Sequence, residues 1–431
     1  MTIMQQHTKK LLLVITFLVT LLLTQIAFSQ EPAVQLQVLM GPSGAARWQP
    51  FITEFQEQNP NIRVKITEGP NATNVLEDLY TGSFLLGNSP YDLVYMDIVW
   101  VPKFAAAGWL LPLDNFLTEG EVAEFLLGDV NGGRYKGKLY RMPLRSDAGM
   151  LYYRQDLLAA EGYEPPETFS ELLEIAQALQ SEEVPWGYVW QGKQYEGLAA
   201  MFVEILQGHG AFWVDPETLE VGLDRPEAIK AVKFLRQTVK EGISPPGVTT
   251  YQEEETRLLF QNGKAVFLRN WPYVFSLASQ DNSPIQGKFA IKPMPSAPGQ
   301  PSGACQGGWG MGIAATSKHP DAAWKLIQFM SSEEVQRRFI LDNGYVPSRK
   351  SLFNDPEIVA KYNHYPELLK VVESSALRPP IPQYAQASDI LQRYLSAALT
   401  DRMSPEKAMA AAANETRRLL GVSKPQGVEK I

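Results

Sequence analysis

The sequence contains few of the residues on which most catalytic and metal sites depend. It has one cysteine, Cys305, and its four histidines, His7, His209, His319 and His364, lie far apart. A single cysteine excludes an intramolecular disulfide, so a large core must hold the fold, and we predict that this cysteine is a small buried apolar residue. No zinc-ligand spacing, nucleophile elbow or phosphate loop is present, so we predict neither a metal nor a cofactor.

Acidic residues outnumber basic ones, with 47 Asp and Glu against 39 Lys and Arg. The formal net charge is −8, whereas a nucleic-acid partner requires a basic surface, so we predict no nucleic-acid binding. Hydrophobic residues make up 45% and charged residues 20% of the chain, as in soluble globular proteins. With 431 residues the chain is long enough for two or three packed units.

Long apolar runs are absent apart from one near the start. This run, residues 11–23, follows two lysines and precedes the small residues Ala27 and Ser29. The order predicts a signal peptide over residues 1–29, cleaved after Ser29, and hence a periplasmic or otherwise extracytoplasmic protein. The alternative is an uncleaved anchor, but the run is shorter than the ~20 residues that span a bilayer.

Strand and helix patterns alternate along the next hundred residues. In order, they fall at 34–40, 47–60, 62–68, 73–87 and 91–97. This rhythm predicts an α/β fold with mostly parallel sheets covered by helices. Ligands of such sheets bind at the carboxyl ends of the strands, so we expect a site after Met40 and after Met96. Further along, capping residues predict helices that begin at Thr168, Asp224 and Ser331.

Aromatic side chains stand beside polar ones in several turn-like stretches. The candidate residues in these stretches are Asp97, Trp100, Arg145, Asp147, Trp190, Gln191, Gln194, Tyr195, Glu196, Trp271, Tyr273, Trp309 and Arg378. Sugars present C–H faces that stack on aromatic rings, and hydroxyls that need charged or amide partners, so the set favours a carbohydrate ligand.

Each candidate also has a purely structural alternative. A large aromatic residue is as often part of the core, although the glycine and proline neighbours of Trp309 and Trp271 favour exposed loops. Asp97 could cap a helix, Asp147 could sit in a turn, and Arg378 could neutralise a surface acid.

Four glycines surround Trp309 in the stretch CQGGWGMG, residues 305–312. Glycine in a strand or turn loses more conformational entropy on folding than other residues, and it has no side chain that could pack. The cluster therefore predicts that a ligand comes close to bare backbone and lies against the indole.

Several long stretches of the chain carry a family resemblance. They read MDIVWVPKFAAAGWLLPLD, DAGMLYYRQDLL, WGYVWQGKQYEGL, RNWPY and GGWG. Through them the chain, from about residue 34 to 420, resembles the sugar-binding subunits of ABC importers, most closely the trehalose/maltose-binding proteins.

The resemblance implies a two-lobed periplasmic-binding-protein fold of class II type, with crossover strands and a hinge between the lobes. The N-terminal lobe would comprise residues 34–144 plus 300–345, and the C-terminal lobe residues 145–299 plus 346–420.

The same resemblance implies a binding role for eight residues. Asp97 and Asp147 would accept hydrogen bonds from sugar hydroxyls, and Arg378 would donate to them. The ring contacts and one backbone contact would come from Tyr195, Trp271, Tyr273, Trp309 and Gly308. Further candidate contacts are Ser43, Trp100, Arg145, Gln191 and Glu196.

Two departures from the family pattern bear on the ligand. The first loop, GPSGAARW at residues 41–48, lacks the acidic residue that trehalose/maltose binders have there, and Arg145 stands where a tyrosine is usual. One ring subsite is therefore altered.

These observations predict the solute-binding subunit of an ABC importer, a monomer that delivers its ligand to membrane permease subunits. The ligand would be an α-glucoside of about disaccharide size, such as trehalose, maltose, sucrose or glucosylglycerol. An alternative is a secreted glycoside-cleaving enzyme that uses Asp97 with Glu196 or Asp147. A third hypothesis is a binder of a different solute, such as a peptide or a polyamine. The tryptophans argue against a peptide but less clearly against a cation, because aromatic rings also hold cations.

Overall fold

The computed structural model describes residues 34–70 and 72–424. The predicted signal peptide, residues 1–29, lies outside the described residues. Among the residues that are described, no helix is both long enough and apolar enough to cross a membrane.

Eleven strands occur in the described part of the chain. They are β1 Val34–Met40, β2 Ile62–Glu68, β3 Leu93–Asp97, β4 Arg134–Tyr135, β5 Lys138–Leu139, β6 Met142–Ala148, β7 Met150–Tyr153, β8 Trp186–Val189, β9 Ala265–Asn270, β10 Ala290–Lys292 and β11 Gln306–Ile313.

Helices cover most of the remaining chain. They are α1 Pro42–Gln58, α2 Thr73–Leu85, α3 Val101–Ala106, α4 Glu119–Ala123, α5 Leu127–Gly132, α6 Gln155–Glu161, α7 Phe169–Leu179, α8 Glu196–Gly208, α9 Pro226–Lys240, α10 Glu253–Gln261, α11 Tyr273–Ala278, α12 Pro320–Ser331, α13 Glu333–Asn343, α14 Pro356–Lys361, α15 Tyr365–Glu373, α16 Tyr384–Leu399 and α17 Pro405–Leu420.

The first sheet has five strands in the order β2-β1-β3-β11-β6. The parallel pairing of β1 with β2 and β3 confirms the predicted β-α-β-α-β unit. Strand β11, from much later in the chain, runs antiparallel between β3 and β6 and places Trp309 opposite Asp97 on one side and Arg145 on the other. Residues far apart in sequence thus meet at one edge of the sheet.

The second sheet has four strands in the order β10-β7-β9-β8. Only Gly149 separates β6 of the first sheet from β7 of the second, so the chain passes directly between them. Two returning segments lie beside it, because the Gly149 amide donates to the Cys305 carbonyl oxygen at 3.3 Å and Cys305 forms a parallel bridge with Ala376. The predicted lobe boundary after residue 144 falls inside β6. The residue ranges assigned to each lobe stay a prediction.

Helix starts agree with the sequence at one of three predicted caps. Thr168 forms its predicted capping box. Asp224 does not cap α9, because the N-cap position is occupied by Arg225, and the Asp224 carboxylate instead binds Arg417 at 2.6 Å. The cap of α13 is Ser332 rather than Ser331, since Ser331 still belongs to the preceding helix.

The single cysteine is part of the core, as predicted. Cys305 is fully buried, and burial raises the pKa of its thiol to about 12. A thiol with such a pKa is protonated at neutral pH and therefore a poor nucleophile.

Candidate functional site

A cavity of about 770 Å³ lies between residues that come from both sheets. It is within the size range of small-molecule sites. All eight residues that were predicted to contact a ligand line it: Asp97, Asp147, Tyr195, Trp271, Tyr273, Gly308, Trp309 and Arg378. Gly41, Ser43 and Gly44 line it as well, so the cavity lies after both predicted strand ends, at Met40 and Met96.

Arg378 is the charged centre of this cavity. Its Nη2 donates to Asp97 Oδ1 at 3.0 Å and its Nη1 donates to Glu196 Oε1 at 2.6 Å. The Arg378 side chain is only 4% exposed, so the prediction that it could neutralise a surface acid is wrong. Glu196 also accepts hydrogen bonds from the hydroxyls of Tyr384 and Ser388.

Asp97 combines its predicted structural role with a place in the cavity. It ends β3, and its carboxylate accepts a hydrogen bond from the Val99 amide at 3.2 Å, which caps the short 3₁₀ helix that follows. The alternative of a capping role is therefore correct, and the same carboxylate also faces Arg378.

Trp309 lies in the middle of β11 and not in an exposed loop, which corrects the expectation from its glycine neighbours. Its indole stacks on Tyr95 with a centroid distance of 5.0 Å and meets Trp100 edge-on at 5.6 Å. The indole is only partly buried and lines the cavity, so packing on one side fixes its orientation while another part stays accessible.

The glycines around Trp309 are explained by a neighbouring strand. Gly308 has φ +126°, and a methyl group added there would lie 2.8 Å from the Arg145 carbonyl oxygen in β6. A methyl group at Gly310 would collide with the Met142 carbonyl oxygen. Close approach of β6 therefore accounts for the bare backbone at these two positions, and the predicted ligand contact at Gly308, which lines the cavity, stays a prediction.

Trp271 follows the end of β9 on the second-sheet side of the cavity. The guanidinium of Arg269 lies over its ring at 4.3 Å from the centroid, and Tyr152 donates to its carbonyl oxygen at 2.9 Å. Arg269 in turn forms a fully buried ion pair with Glu204. These contacts hold the indole in one position.

Tyr273 and Tyr195 complete the second-sheet side. The Tyr273 hydroxyl donates to Glu254 Oε1 at 2.6 Å, and its pKa lies above the ordinary range because of burial and this carboxylate. Tyr195 precedes α8, and its ring lies where any side chain at position 197 would stand, which accounts for Gly197.

Arg145 and Asp147 form an ion pair on β6. Arg145 Nη1 and Asp147 Oδ2 are 2.8 Å apart. Burial raises the pKa of Asp147, and the adjacent Arg145 opposes that rise. Asp147 is thus a strand residue and not the turn residue that was considered as its alternative.

Two predicted contacts do not line the cavity. Trp100 is 1% exposed and packs beneath Trp309. Gln191 is fully buried, donates to the Arg269 carbonyl oxygen at 3.0 Å and accepts from Arg269 Nη1 at 3.0 Å. Both predictions were wrong, because an aromatic or amide residue that is near a site in the sequence can support the lining residues from behind instead of facing the ligand. Ser43, Arg145 and Glu196 do line the cavity.

Sequence reasoning missed several residues that line the cavity: Arg47, Tyr95, Lys193, Glu253 and Tyr345. Arg47 carried a signal, because it lies in the stretch after Met40 where a site was expected, and so did Tyr345, which follows Asn343-Gly344 at a predicted helix end.

The cavity can offer aromatic surfaces together with hydrogen-bond donors and acceptors. No cluster of three or more metal-ligating side chains occurs in residues 34–70 and 72–424. Asp97 and Glu196 bind the guanidinium of Arg378, and Asp147 binds that of Arg145, so all three carboxylates of the glycoside-cleaving alternative are paired with a cation.

A protein-family model described as "Bacterial extracellular solute-binding protein" matches residues 41–337, more than half of the chain. The chain belongs to this family. Members of the family bind solutes and are not enzymes, so the predicted alternative of a glycoside-cleaving enzyme has no support from it. The family's name also agrees with the predicted extracytoplasmic location, whereas the signal peptide itself stays a prediction.

Individual relatives of this solute-binding protein agree with that membership. A probable ABC transporter-binding protein of Deinococcus radiodurans is 30% identical over 367 residues, which cover 83% of this chain and 87% of the relative. A maltotriose-binding protein of Pyrococcus abyssi is 27% identical over 326 residues, 74% of this chain and 67% of the relative.

A solved structure shows the two-lobed fold directly. The maltose-bound MalE3 protein of T. maritima is 37% identical, with a TM-score of 0.84 over 90% of this chain and 100% of that chain. The predicted two-lobed α/β fold is therefore confirmed, and we call the halves built on the first and second sheets the first and second lobes.

Proposed function

We propose that the protein is the extracytoplasmic sugar-binding subunit of an ABC importer and that its ligand is an α-glucoside of about disaccharide size. The observation that carries the proposal is the cavity, where Trp271, Tyr273 and Trp309 stand beside Asp97 and Asp147. The names of two relatives support it, since one is a maltotriose-binding protein and the other was solved with maltose bound.

Aromatic rings on both lobes would hold the sugar rings. Trp309 belongs to the first lobe and Trp271 to the second, and each is fixed from behind by an aromatic or guanidinium neighbour. Rigid rings lose little side-chain entropy on binding, so most of the stacking energy would appear as affinity.

Carboxylates would accept the hydroxyl hydrogen bonds. An ionised carboxylate has about four acceptor positions, and the Arg145 Nη1 hydrogen bond to Asp147 Oδ2 uses one of them. Asp97 likewise shares its carboxylate with Arg378 and the Val99 amide. Each carboxylate is therefore held in place and keeps capacity for a sugar hydroxyl.

The two lobes would close on the sugar by a hinge motion, as the crossing segments at Gly149, Cys305 and Ala376 suggest. Closure would present the loaded protein, a monomer, to membrane permease subunits.

Calorimetric titration of the purified mature chain tests the proposal. Trehalose, maltose, sucrose and glucosylglycerol are titrated in turn, and each mixture is checked for hydrolysis. We expect micromolar or tighter binding of at least one of them with the sugar intact. Heat from none of the four would refute a neutral α-glucoside as the ligand, and binding of a peptide or polyamine instead would revive the third hypothesis.

A further inference from the structure

Two guanidinium groups meet at one aromatic ring in the first-lobe end of the cavity. The Cζ atom of Arg145 lies over the Tyr345 ring at 4.6 Å from its centroid, and that of Arg47 lies over the same ring at 5.0 Å. Arg145 also lies 5.9 Å from the centroid of Trp309. All four residues line the cavity, so cations already occupy aromatic surface on which a second sugar ring would stack.

The two arginines differ in how their charges are balanced. Arg145 is paired with Asp147 at 2.8 Å. Arg47 donates to the Ser43 carbonyl oxygen at 3.0 Å, and among the described residues it has no ion pair with a carboxylate. Asp342 lines the shallow neighbouring cavity of about 400 Å³ with Arg47 but stays beyond ion-pair distance. This end of the binding cavity therefore carries positive charge in excess.

Negative charge gathers at the opposite, second-lobe side. The first turn of α10 contributes Glu253, Glu254 and Glu255 to the cavity lining. Lys193 lies near them and is exposed, with its Nζ atom 3.3 Å from Gln252 Oε1. Glu254 pairs with Arg257 at 2.6 Å, so Glu253 and Glu255 supply the negative charge on this side that no ion pair among the described residues balances. A ligand that matches the cavity would therefore place an anionic group at the arginines and hydroxyls toward the second lobe.

We infer that the ligand is a glucoside whose second unit carries a carboxylate, and that Arg47 and Arg145 bind this carboxylate. The inference rests on the proposed function and narrows its ligand class. A guanidinium offers planar, paired donors that match a carboxylate, and stacking on Tyr345 holds both groups in position before the ligand arrives. The glucosyl unit would lie toward the tryptophans and the carboxylates that accept its hydroxyls.

A pair of ligands that differ only in the charged group tests this inference. The mature chain is titrated calorimetrically with α-glucosylglycerate and with α-glucosylglycerol. We expect the carboxylate ligand to bind about tenfold tighter or better, the size of effect that hydrogen bonds to charged groups have. The preference should shrink as salt is raised, because this arginine pair is partly exposed to solvent.

Substitutions at Arg47 test whether this residue causes the preference for the carboxylate ligand. In Arg47→Gln the ratio of the two affinities should fall toward one, and Arg47→Lys should keep part of the preference. Arg63→Gln is the matched control, because Arg63 donates to a backbone carbonyl oxygen as Arg47 does but is exposed and does not line the cavity, and it should leave the ratio as it is. Urea unfolding of each variant checks that the fold is intact.

The failure of this inference can be told apart from failure of the proposed function. Equal binding of both ligands by the wild-type chain, or an unchanged ratio in Arg47→Gln, would overturn the inference and leave an α-glucoside receptor in place. Binding of neither ligand, nor of any neutral glucoside, would overturn both.

Discussion

Arg378 Nη1 donates to Glu196 Oε1 at 2.6 Å, and through its Nη2 the same guanidinium holds Asp97. Asp97 ends a strand of the first sheet and Glu196 begins α8, so one buried cation joins parts of the chain that fold on different sides of the cavity. The three side chains are 4%, 17% and 12% exposed for Arg378, Glu196 and Asp97. Their mutual pairing is therefore needed for stability as well as for the site.

Replacement of Arg378 by glutamine should lower the free energy of unfolding by about 3 kcal/mol or more, because it leaves two largely buried carboxylates without their cation. Binding of the sugar should be lost at the same time. Urea unfolding at neutral pH measures the first effect, and calorimetry measures the second.

The control for this variant is Arg393→Gln. Arg393 is 40% exposed and pairs with Asp389 and Glu415 at the surface, so its loss should cost under about 1 kcal/mol. Equal destabilisation by the two substitutions would mean that the Arg378 pair is no more important than a surface pair.

Trp271→Ala should weaken binding of the proposed sugar about tenfold or more, since it removes a ring that Arg269 holds in the cavity. Trp271 is a better test than Trp309, whose indole also packs on Tyr95 within the sheet. Calorimetric titration gives the affinity. Trp109→Ala serves as the control, because Trp109 stacks on Phe84 away from the cavity lining; wild-type affinity in Trp271→Ala would remove this residue from the site.

Gly308→Ala should destabilise the protein by about 2–3 kcal/mol and disturb the Arg145–Asp147 pair. The added methyl group meets the Arg145 carbonyl oxygen, and φ +126° is unfavourable for any residue with a side chain. Gly299→Ala is matched in having positive φ, +77°, but open space around it, so it should cost only about 1 kcal/mol. Similar unfolding midpoints for the two variants would contradict the steric explanation.

Local patterns in the sequence were sufficient for the elements that form from neighbouring residues. β1 and β2 begin and end where alternation predicted, and α7 begins directly after its predicted cap, Thr168. Asp97 and Trp271 were predicted correctly as cavity residues because Asp97 lies at the end of a predicted strand and Trp271 precedes a proline. Both features can be recognised from a few neighbouring residues.

Contacts between distant segments could not be predicted in the same way. No pattern near residue 308 shows that β6 approaches it, so the glycines there were assigned to the ligand. Arg47 and Tyr345 belong to the cavity because α1 and the segment after α13 lie side by side. Trp100 and Gln191 were predicted as ligand contacts but are buried behind the cavity, because sequence alone does not separate the residues that face a cavity from those that support it.

Asp129 forms a second buried polar centre, behind Gly308. Its Oδ1 accepts hydrogen bonds from Gln306 Nε2 at 3.0 Å and from Ser146 Oγ at 3.2 Å, whereas its Oδ2 has no partner. Burial raises its pKa to about 7, and the nearby Arg141 only partly opposes the rise. Gln306 begins β11, directly after the crossing segment at Cys305, so the protonation of Asp129 bears on the stability of the region between the lobes.

The stability of the wild-type protein relative to Asp129→Asn should therefore depend on pH. Because the pKa of Asp129 in the folded protein, about 7, exceeds its ordinary value of 3.8, its contribution to stability is greatest below that ordinary value and is lost as the pH rises through about 7. Urea unfolding at about pH 5 and about pH 8 should show the wild type losing stability relative to the variant at the higher pH. Parallel pH profiles for wild type and Asp129→Asn would mean that Asp129 is ionised in the folded protein throughout this range.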